Sequence, residues 1–417
     1  MPDQSHTPLI EPRFRGLFLT LFCVFALFGT SMTIIGATLP KILADFQWSY
    51  LAAGIVMGSS MVTYFVSTYL AGHLIRRWGA KITLSGGLIL ATLGLAFFAA
   101  RGDALFNTLL GGLIGLGQGA IELCVNWLTL RIDRAKSGRP MNLMHGAFAV
   151  GAIVGPLAVG VLMQTGLAWT TVYRGIAVLF GGFALLALTL HLPEESSSEN
   201  GDDATSNSPV AAAKPLAAHP AYWLAFAALF FYVGVELGVS NWVAEYFVRV
   251  FEQSTAASAL LVSLFWAGLL AGRFGVPLLY RGHQDALLLP LAVLATVAIA
   301  VLTLFGYLHT AWGLSLDIAT QFGRLLVVLA GLGCSIYYPA IISLLGEFFP
   351  HDQSRAIGFA ASGGGIGAFL FPFAMSAMAD QWGIRAGFGA YAAFALVMSI
   401  AAMGMASMIR RHRRHAR

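Results

Sequence analysis

An acidic residue stands inside an apolar segment, in the stretch GQGAIELCVNWL that runs from Gly117 to Leu128. Gln118, Glu122 and Asn126 are spaced four residues apart, so on a helix their side chains form one polar stripe. An ionisable group that faces lipid near the centre of a membrane span is strongly unfavourable. We therefore predict that this stripe faces the interior of a helix bundle, where Glu122 binds a polar ligand.

Other polar and aromatic side chains are embedded in apolar segments in the same way. They are Asn142, His145, Glu236, Asn241, Trp242 and Tyr338. Carboxylates and amides bind hydroxyl groups, and aromatic faces cover apolar surface, so the set suits a polyhydroxylated solute. Each residue has a purely structural alternative: Glu122 and Glu236 could be neutral or paired acids that hold helices together, and His145 could be solvated at a helix end.

The elements that must position these residues are membrane spans. The 417 residues are 58% hydrophobic and 10% charged, with a mean hydropathy of +0.77, whereas soluble domains carry roughly 25% charged residues. Segments of about 20 apolar residues suffice to cross a bilayer. The sequence predicts an all-α membrane protein with about twelve spans, near residues 16–40, 50–74, 81–100, 104–130, 141–164, 168–192, 221–247, 255–279, 285–307, 324–349, 355–380 and 385–409.

Basic residues predict the orientation of these spans. In a twelve-span arrangement most of the lysines and arginines in short loops fall on one side, including Arg76, Arg77 and the C-terminal stretch RRHRRHAR. Cytoplasmic loops carry this excess, so both termini are predicted to be cytoplasmic. The asymmetry accounts for the net charge of +5, which leaves little reason to predict nucleic-acid binding.

The chain is predicted to consist of two similar halves. Residues from Pro193 to about Pro215 are polar and rich in serine and acidic residues, as in a flexible linker. The predicted linker at 193–220 separates a bundle at 1–192 from one at 221–417. Gly115-Leu116-Gly117 recurs as Gly331-Leu332-Gly333, and Gly151-Ala152 recurs as Gly367-Ala368, both 216 residues later. A shared offset indicates an internal repeat.

The sequence carries no constellation typical of an enzyme. It has neither a phosphate-binding Gly-Lys-Ser/Thr loop nor a zinc-binding histidine pair, and its three cysteines lie in apolar segments without metal-ligand spacing. We predict no enzymatic activity, no cofactor and no metal site. The predicted partners are a small solute, membrane lipid and a coupling proton or sodium ion, with the protein acting as a monomer.

The segment between the second and third predicted spans resembles a motif of the major facilitator superfamily. Gly72, Leu74, Arg77, Gly79 and Lys81 match the family pattern G-x-L-x-D-R-x-G-R-R/K, whereas Arg76 and Ala80 depart from it. The resemblance extends over essentially the whole chain. It implies two six-helix bundles related by pseudo-symmetry, alternating access, and a gating loop at Gly72, Arg76, Arg77, Gly79 and Lys81.

A narrower resemblance is to the fucose permease branch of that superfamily. It rests on GQGAIELCVNWL, on PMNLMHGAFAVGAIVGP and on YVGVELGVSNWVAEYF. The branch carries sugars together with protons, and the resemblance implies that Glu122 handles sugar and proton and that His145 recognises sugar. Gly36 stands where the branch has a proton-linked aspartate, so coupling would fall to Glu122, His145 or Glu236.

The sequence thus predicts a secondary transporter of a hexose or deoxyhexose in the inner or plasma membrane. The alternatives are a proton-coupled exporter of drugs or other hydrophobic compounds, for which the abundant Phe and Met residues are suited, and a membrane sensor that binds without transport.

Overall fold

The computed structural model describes residues 10–133, 139–190, 192–193, 216–280, 284–308, 312–350 and 352–415. Within these ranges the chain forms twelve α-helices and no β-strand. The helices are α1 (Arg15–Phe46), α2 (Tyr50–Phe97), α3 (Ala104–Ile132), α4 (Arg139–Gln164), α5 (Trp169–Thr189), α6 (Pro220–Val250), α7 (Thr255–Leu279), α8 (Leu288–Leu308), α9 (Leu316–Cys334), α10 (Tyr337–Phe348), α11 (Gln353–Trp382) and α12 (Ile384–His415).

The helices have the length and surface of membrane spans. In the described part of the chain, eleven helical segments are long and apolar enough to cross a bilayer. Large apolar side chains such as Leu19, Leu109 and Leu185 are exposed, at 63%, 68% and 70%. A soluble protein rarely exposes this much apolar surface, whereas lipid accommodates it. The all-α, multi-pass prediction is confirmed.

Helix α2 contains the second and third predicted spans. Its 48 residues would extend about 72 Å at roughly 1.5 Å per residue, more than twice the thickness of the hydrocarbon core. Gly79, with φ 80° and ψ 160°, interrupts the helix. Residues on both sides of Gly79 contact α3, since Gly115 abuts Ser60 and Gly117 abuts Ala91. The two arms of α2 therefore fold back to back along α3.

Several predicted span boundaries were wrong. Residues 75–80, predicted as a loop, are helical apart from Gly79, because Arg76 and Arg77 are exposed and a solvated charge does not end a helix. The tenth predicted span, 324–349, begins earlier and is broken at Ser335-Ile336 into α9 and α10. Helix α1 continues past Pro40 to Phe46.

The glycines related by the 216-residue offset make equivalent contacts in the two halves of the chain. A Cβ atom added to Gly115 would collide with the backbone at Ser60 in the first arm of α2, and one added to Gly331 would collide with the backbone at Phe265 in α7. A Cβ added to Gly117 or Gly333 would collide with the next span, at Ala91 and Ala295. Each pair allows a central helix to approach two neighbours closely.

The predicted linker at 193–220 falls largely on residues outside the described ranges. Its last part forms a 3₁₀ turn at Leu216–Ala218, and α6 follows at Pro220. The division into bundles at 1–192 and 221–417 stays a prediction. Below, α1–α5 are called the first half and α6–α12 the second half.

The two halves meet at one end of the bundle, where α1 ends and α2 begins. There Gly36 of α1 lies against the backbone of Ser240 and Asn241 in α6. The backbone N–H of Tyr50 donates to Asp380 of α11 at 2.7 Å, and its hydroxyl donates to Glu245 of α6 at 3.1 Å. We call this the closed end of the molecule.

Candidate functional site

A cavity of about 510 Å³ lies between the two halves. It is lined from the first half by side chains of α1, α2, α3 and α4, and from the second half by α6, α7, α10 and α11. It extends away from the closed end, toward Thr68 and Arg273. Its volume is typical of a pocket for a small organic molecule.

The first-half wall of the cavity carries the acid that the sequence singled out. Glu122 of α3 is half-buried and accepts a hydrogen bond from the hydroxyl of Tyr64 in α2. Asn126 lies one helical turn further along α3 and also lines the cavity. Its buried Oδ1 atom has no hydrogen-bond partner in the described part of the chain. This wall therefore offers a carboxylate and an amide oxygen that can accept hydrogen bonds from a ligand.

The second-half wall carries an ion pair. Nη2 of Arg273 in α7 lies 3.9 Å from Oε1 of Glu236 in α6, and Nε of Arg273 donates to the carbonyl of Ser335 at 3.2 Å. Ser335 is one of the two residues that separate α9 from α10. Arg273 thus joins α6 and α7 to the break in the tenth span, and its guanidinium binds a carbonyl that the end of α9 leaves without a helical partner.

Aromatic side chains complete the cavity. Phe148 of α4 and Trp266 of α7 meet edge to face across the two halves, with ring centroids 5.8 Å apart. Tyr338 of α10, 36% exposed, lies at the position 216 residues after Glu122 and faces the same cavity. Such rings can cover the C–H face of a ligand while the polar groups bind its hydroxyls.

The structure brings four of the predicted ligand-binding residues together and leaves the others apart. Glu122, Asn126, Glu236 and Tyr338 line the cavity. Gln118 and Asn241 line a separate recess of about 30 Å³ nearer the closed end. The remaining three lie elsewhere: Trp242 is fully buried against Tyr50, and Asn142 and His145 are exposed on α4.

The predicted gating segment lies at the turn of α2. Arg76 and Arg77 are exposed, and Gly79 supplies the positive φ that reverses the chain. Lys81 donates to the carbonyl of Leu188 at the end of α5, at 3.0 Å. Gly72 lies against Leu123 of α3, where an added Cβ would make ordinary contact at 3.7 Å.

Sequence reasoning missed Tyr64, Arg273, Phe148 and Trp266 as cavity residues. Arg273 lies inside the eighth predicted span, 255–279, and six residues before the end of α7. Its position inside an apolar span is the signal that could have found it, because an ionisable group at membrane depth usually faces the bundle interior or a cavity. In the described ranges, the His, Cys, Asp and Glu side chains form no group of three that could hold a metal ion.

The chain matches the model of the Major Facilitator Superfamily over residues 21–323 and 320–417. It is similar to a glucose/galactose transporter of Brucella abortus, with 23% identity over 92% of this chain and 92% of that protein. Among solved structures it resembles a D-xylose-proton symporter, with a TM-score of 0.78 and 15% identity over 94% of this chain and 97% of the other. It also resembles the fucose:proton symporter of E. coli, with a TM-score of 0.59 and 21% identity over 94% and 99%.

Proposed function

Because the chain belongs to the major facilitator superfamily, we propose that it is a secondary transporter of a neutral hexose or deoxyhexose, which it moves across the membrane by alternating access. The observation that carries this proposal is the cavity between the halves, in which both walls present groups for hydroxyl recognition. The similarity to a glucose/galactose transporter supports the same substrate class. Membership of this family favours transport over catalysis.

In the proposed complex each wall binds a different part of the sugar. Glu122 and the free Oδ1 of Asn126 accept hydrogen bonds from hydroxyl groups on one side. Glu236, Arg273 and Tyr338 bind hydroxyls on the other side, and Trp266 covers the apolar face of the ring. A ligand held by both walls makes its full set of contacts only when the halves are close together, which links binding to their relative movement.

The charges of the cavity support a neutral solute. Arg273 is already paired with Glu236 and bonded to Ser335, so its charge is not available to compensate an anion. Glu122 adds a second acid to the cavity. An anionic sugar would meet an unfavourable potential there, whereas hydroxyl groups can donate to either carboxylate.

The closed end and the cavity together support one state of an alternating-access cycle. With both termini cytoplasmic, as the basic residues predict, the closed end faces outward and the cavity faces the cytoplasm. We also propose that the protein resides in the inner or plasma membrane. The bundles at 1–192 and 221–417 are the two bodies that rock, joined by the linker at 193–220.

Proton coupling, where present, requires a carboxylate other than one at position 36. Among α1 residues the only acid is Asp45, near the closed end. We propose that Glu122 or Glu236, the two acids of the cavity, carries the coupling proton. Both can hydrogen-bond sugar hydroxyls, so sugar and proton would compete for or share the same oxygen atoms.

The test is counterflow in proteoliposomes. Vesicles are preloaded with unlabelled D-glucose, D-galactose and L-fucose, and entry of a labelled trace of each sugar is followed without an ion gradient. Glu122→Gln should lower the initial rate by roughly tenfold or more, because a hydrogen bond to a charged group contributes about 1.5–3 kcal/mol. Glu252→Gln, an exposed acid in the α6–α7 segment, is the matched control and should retain the parent rate.

Two outcomes contradict the proposal in different ways. A parent-like rate in Glu122→Gln would mean that this acid serves helix packing alone. Absence of accumulation for every sugar, in parent protein shown to be folded, would reject sugar transport and favour an exporter of hydrophobic compounds, to be tested next with hydrophobic cations.

A further inference from the structure

A small recess lies between the main cavity and the closed end. It has a volume of about 30 Å³ and is lined by residues of α1, both arms of α2, α3, α5 and α6. Met32 of α1 and Met61 of α2 line both the recess and the main cavity. These two side chains therefore form the wall that the two spaces share. Methionine is flexible and changes rotamer readily, so this wall can open without movement of the backbone.

In the side-chain amide of Gln118, which lines the recess, the nitrogen has a hydrogen-bond partner and the oxygen has none in the part of the chain that the structure describes. Its Nε2 donates to the hydroxyl of Ser31 at 2.9 Å, and that hydroxyl donates its own hydrogen to the carbonyl of Phe28 at 2.8 Å. Because the hydrogen of Ser31 is already used, Gln118 must present its amino group to Ser31 and its carbonyl oxygen elsewhere. Oε1 has no partner within the described residues, and Gln118 is only 2% exposed.

A buried carbonyl oxygen without a partner is unfavourable by about 1–3 kcal/mol. The recess is large enough to remove this penalty, since a water molecule or hydroxyl group needs roughly 10–15 Å³. It is lined by hydroxyl, amide and apolar groups, including Ser60, Tyr173 and Asn241, and by no ionisable acid or base apart from the tyrosine. The chemistry fits a neutral hydrogen-bond donor.

We propose that the recess is a second subsite for the transported sugar, in which Gln118 Oε1 accepts a hydrogen bond from one sugar hydroxyl once Met32 and Met61 move aside. The inference rests on the proposed function. Its position supports it, because Asn241 borders both the recess and the contact with Gly36. When α1 and α6 separate at the closed end, the recess joins the path to that side of the membrane.

The experiment measures how well D-galactose and its 2-, 3-, 4- and 6-deoxy derivatives inhibit counterflow of labelled D-galactose. In the parent, loss of the hydroxyl bound by Gln118 should weaken inhibition roughly tenfold or more, since it leaves a buried polar group unpaired. Gln118→Met keeps the length of the side chain but removes the acceptor. For each deoxy derivative, the measured quantity is the ratio of its inhibition constant to that of D-galactose. Gln118→Met should bring this ratio close to unity for the one hydroxyl that Gln118 binds. The other three ratios should stay within about twofold of the parent, as expected for a single lost hydrogen bond.

One control variant separates the subsite from general effects. Gln253→Met alters a glutamine that binds Phe251 and Thr320 far from the cavity, and should match the parent in every ratio. Met32→Phe replaces a flexible side chain of the shared wall by a rigid ring and should keep the recess closed to the sugar. It should therefore bring the same ratio close to unity as Gln118→Met does, which provides a second test where the first variant is unstable.

The outcomes distinguish this inference from the proposed function. Normal counterflow with all four ratios unchanged in folded Gln118→Met would overturn the subsite and assign the amide to a bound water. Absence of sugar counterflow in the folded parent would overturn both proposals. Loss of one ratio alone, in Gln118→Met and not in Gln253→Met, supports the subsite.

Discussion

Replacing Gly36 by alanine should open the closed end of the molecule. A Cβ atom at this position would lie 2.7 Å from the carbonyl oxygen of Ser240 and 2.9 Å from Cα of Asn241. Both neighbours are backbone atoms of α6, so neither can rotate away. The added methyl group therefore raises the free energy of conformations in which α1 and α6 are in contact, and does not affect conformations in which they are apart.

The size of the effect follows from the cost of overpacking. Inserting one methyl group into a close-packed contact is unfavourable by about 1–3 kcal/mol, which corresponds to a shift of roughly 5- to 150-fold in the ratio of two states. The expected result is an increase of about tenfold in the population whose closed end is open. The aspartate found in the fucose permease branch is larger than alanine and should shift the ratio further.

A reporter cysteine measures this population. Ser376→Cys places a thiol on α11 at a fully buried position that faces Gly54 of α2 across the closed end. In a background without the native cysteines, its rate of labelling by a maleimide in detergent reports how often the two halves separate. Gly36→Ala should raise the rate about tenfold over the parent, in proportion to the open population.

Gly16→Ala is the matched control, because Gly16 lies on the same helix with no atom within 4 Å of an added Cβ. It should label like the parent. Equal labelling rates for Gly36→Ala and Gly16→Ala, in proteins of similar thermal stability, would refute the argument that the α1–α6 contact holds this end closed.

Two further predictions concern stability. Arg273→Met leaves Glu236 without its partner and should lower the melting temperature by several degrees, since breaking a buried pair is unfavourable by up to about 3–5 kcal/mol. Adding Glu236→Gln to this variant should recover part of the lost melting temperature. No recovery would mean that the ion pair contributes little to stability. Gly79→Ala places a side chain at φ 80° and should destabilise the protein by about 1–3 kcal/mol, whereas Gly86→Ala, in open helical surroundings, should melt like the parent.

The fold was largely predictable because hydropathy records where the chain crosses lipid. The wrong span boundaries lie where the residue types suggest a loop but the backbone is helical, or where an apolar segment contains a break in the helix. Arg76 and Arg77 look like loop residues, yet an exposed helix carries them equally well, and only Gly79 departs from helical geometry. The break before α10 had one local signal. Pro339 lies in its first turn, where proline is tolerated, and because proline has no backbone N–H, the carbonyl of Ser335 four residues earlier has no helical partner.

The cavity was predicted only in part because spacing along one helix does not determine what faces it. The stripe at Gln118, Glu122 and Asn126 does lie on one face of α3, but the neighbouring helices divide it between the recess and the cavity. Tyr64 and Arg273 reach Glu122 and Glu236 from other helices. Such contacts depend on tertiary packing, which no pattern within a single span records. The roles of all these residues in transport stay predictions.

The two spans related by the 216-residue offset differ in their continuity. In the first half α3 runs without interruption from Ala104 to Ile132, between neighbours that its glycines hold in close contact. The corresponding span of the second half is jointed at Ser335-Ile336, and the residue that spans the joint, Arg273, also reaches the cavity. We expect the first half to behave as a rigid frame and the second to flex at its joint when the cavity fills. The same sequence offset thus relates a continuous helix in the first half to a jointed helix in the second.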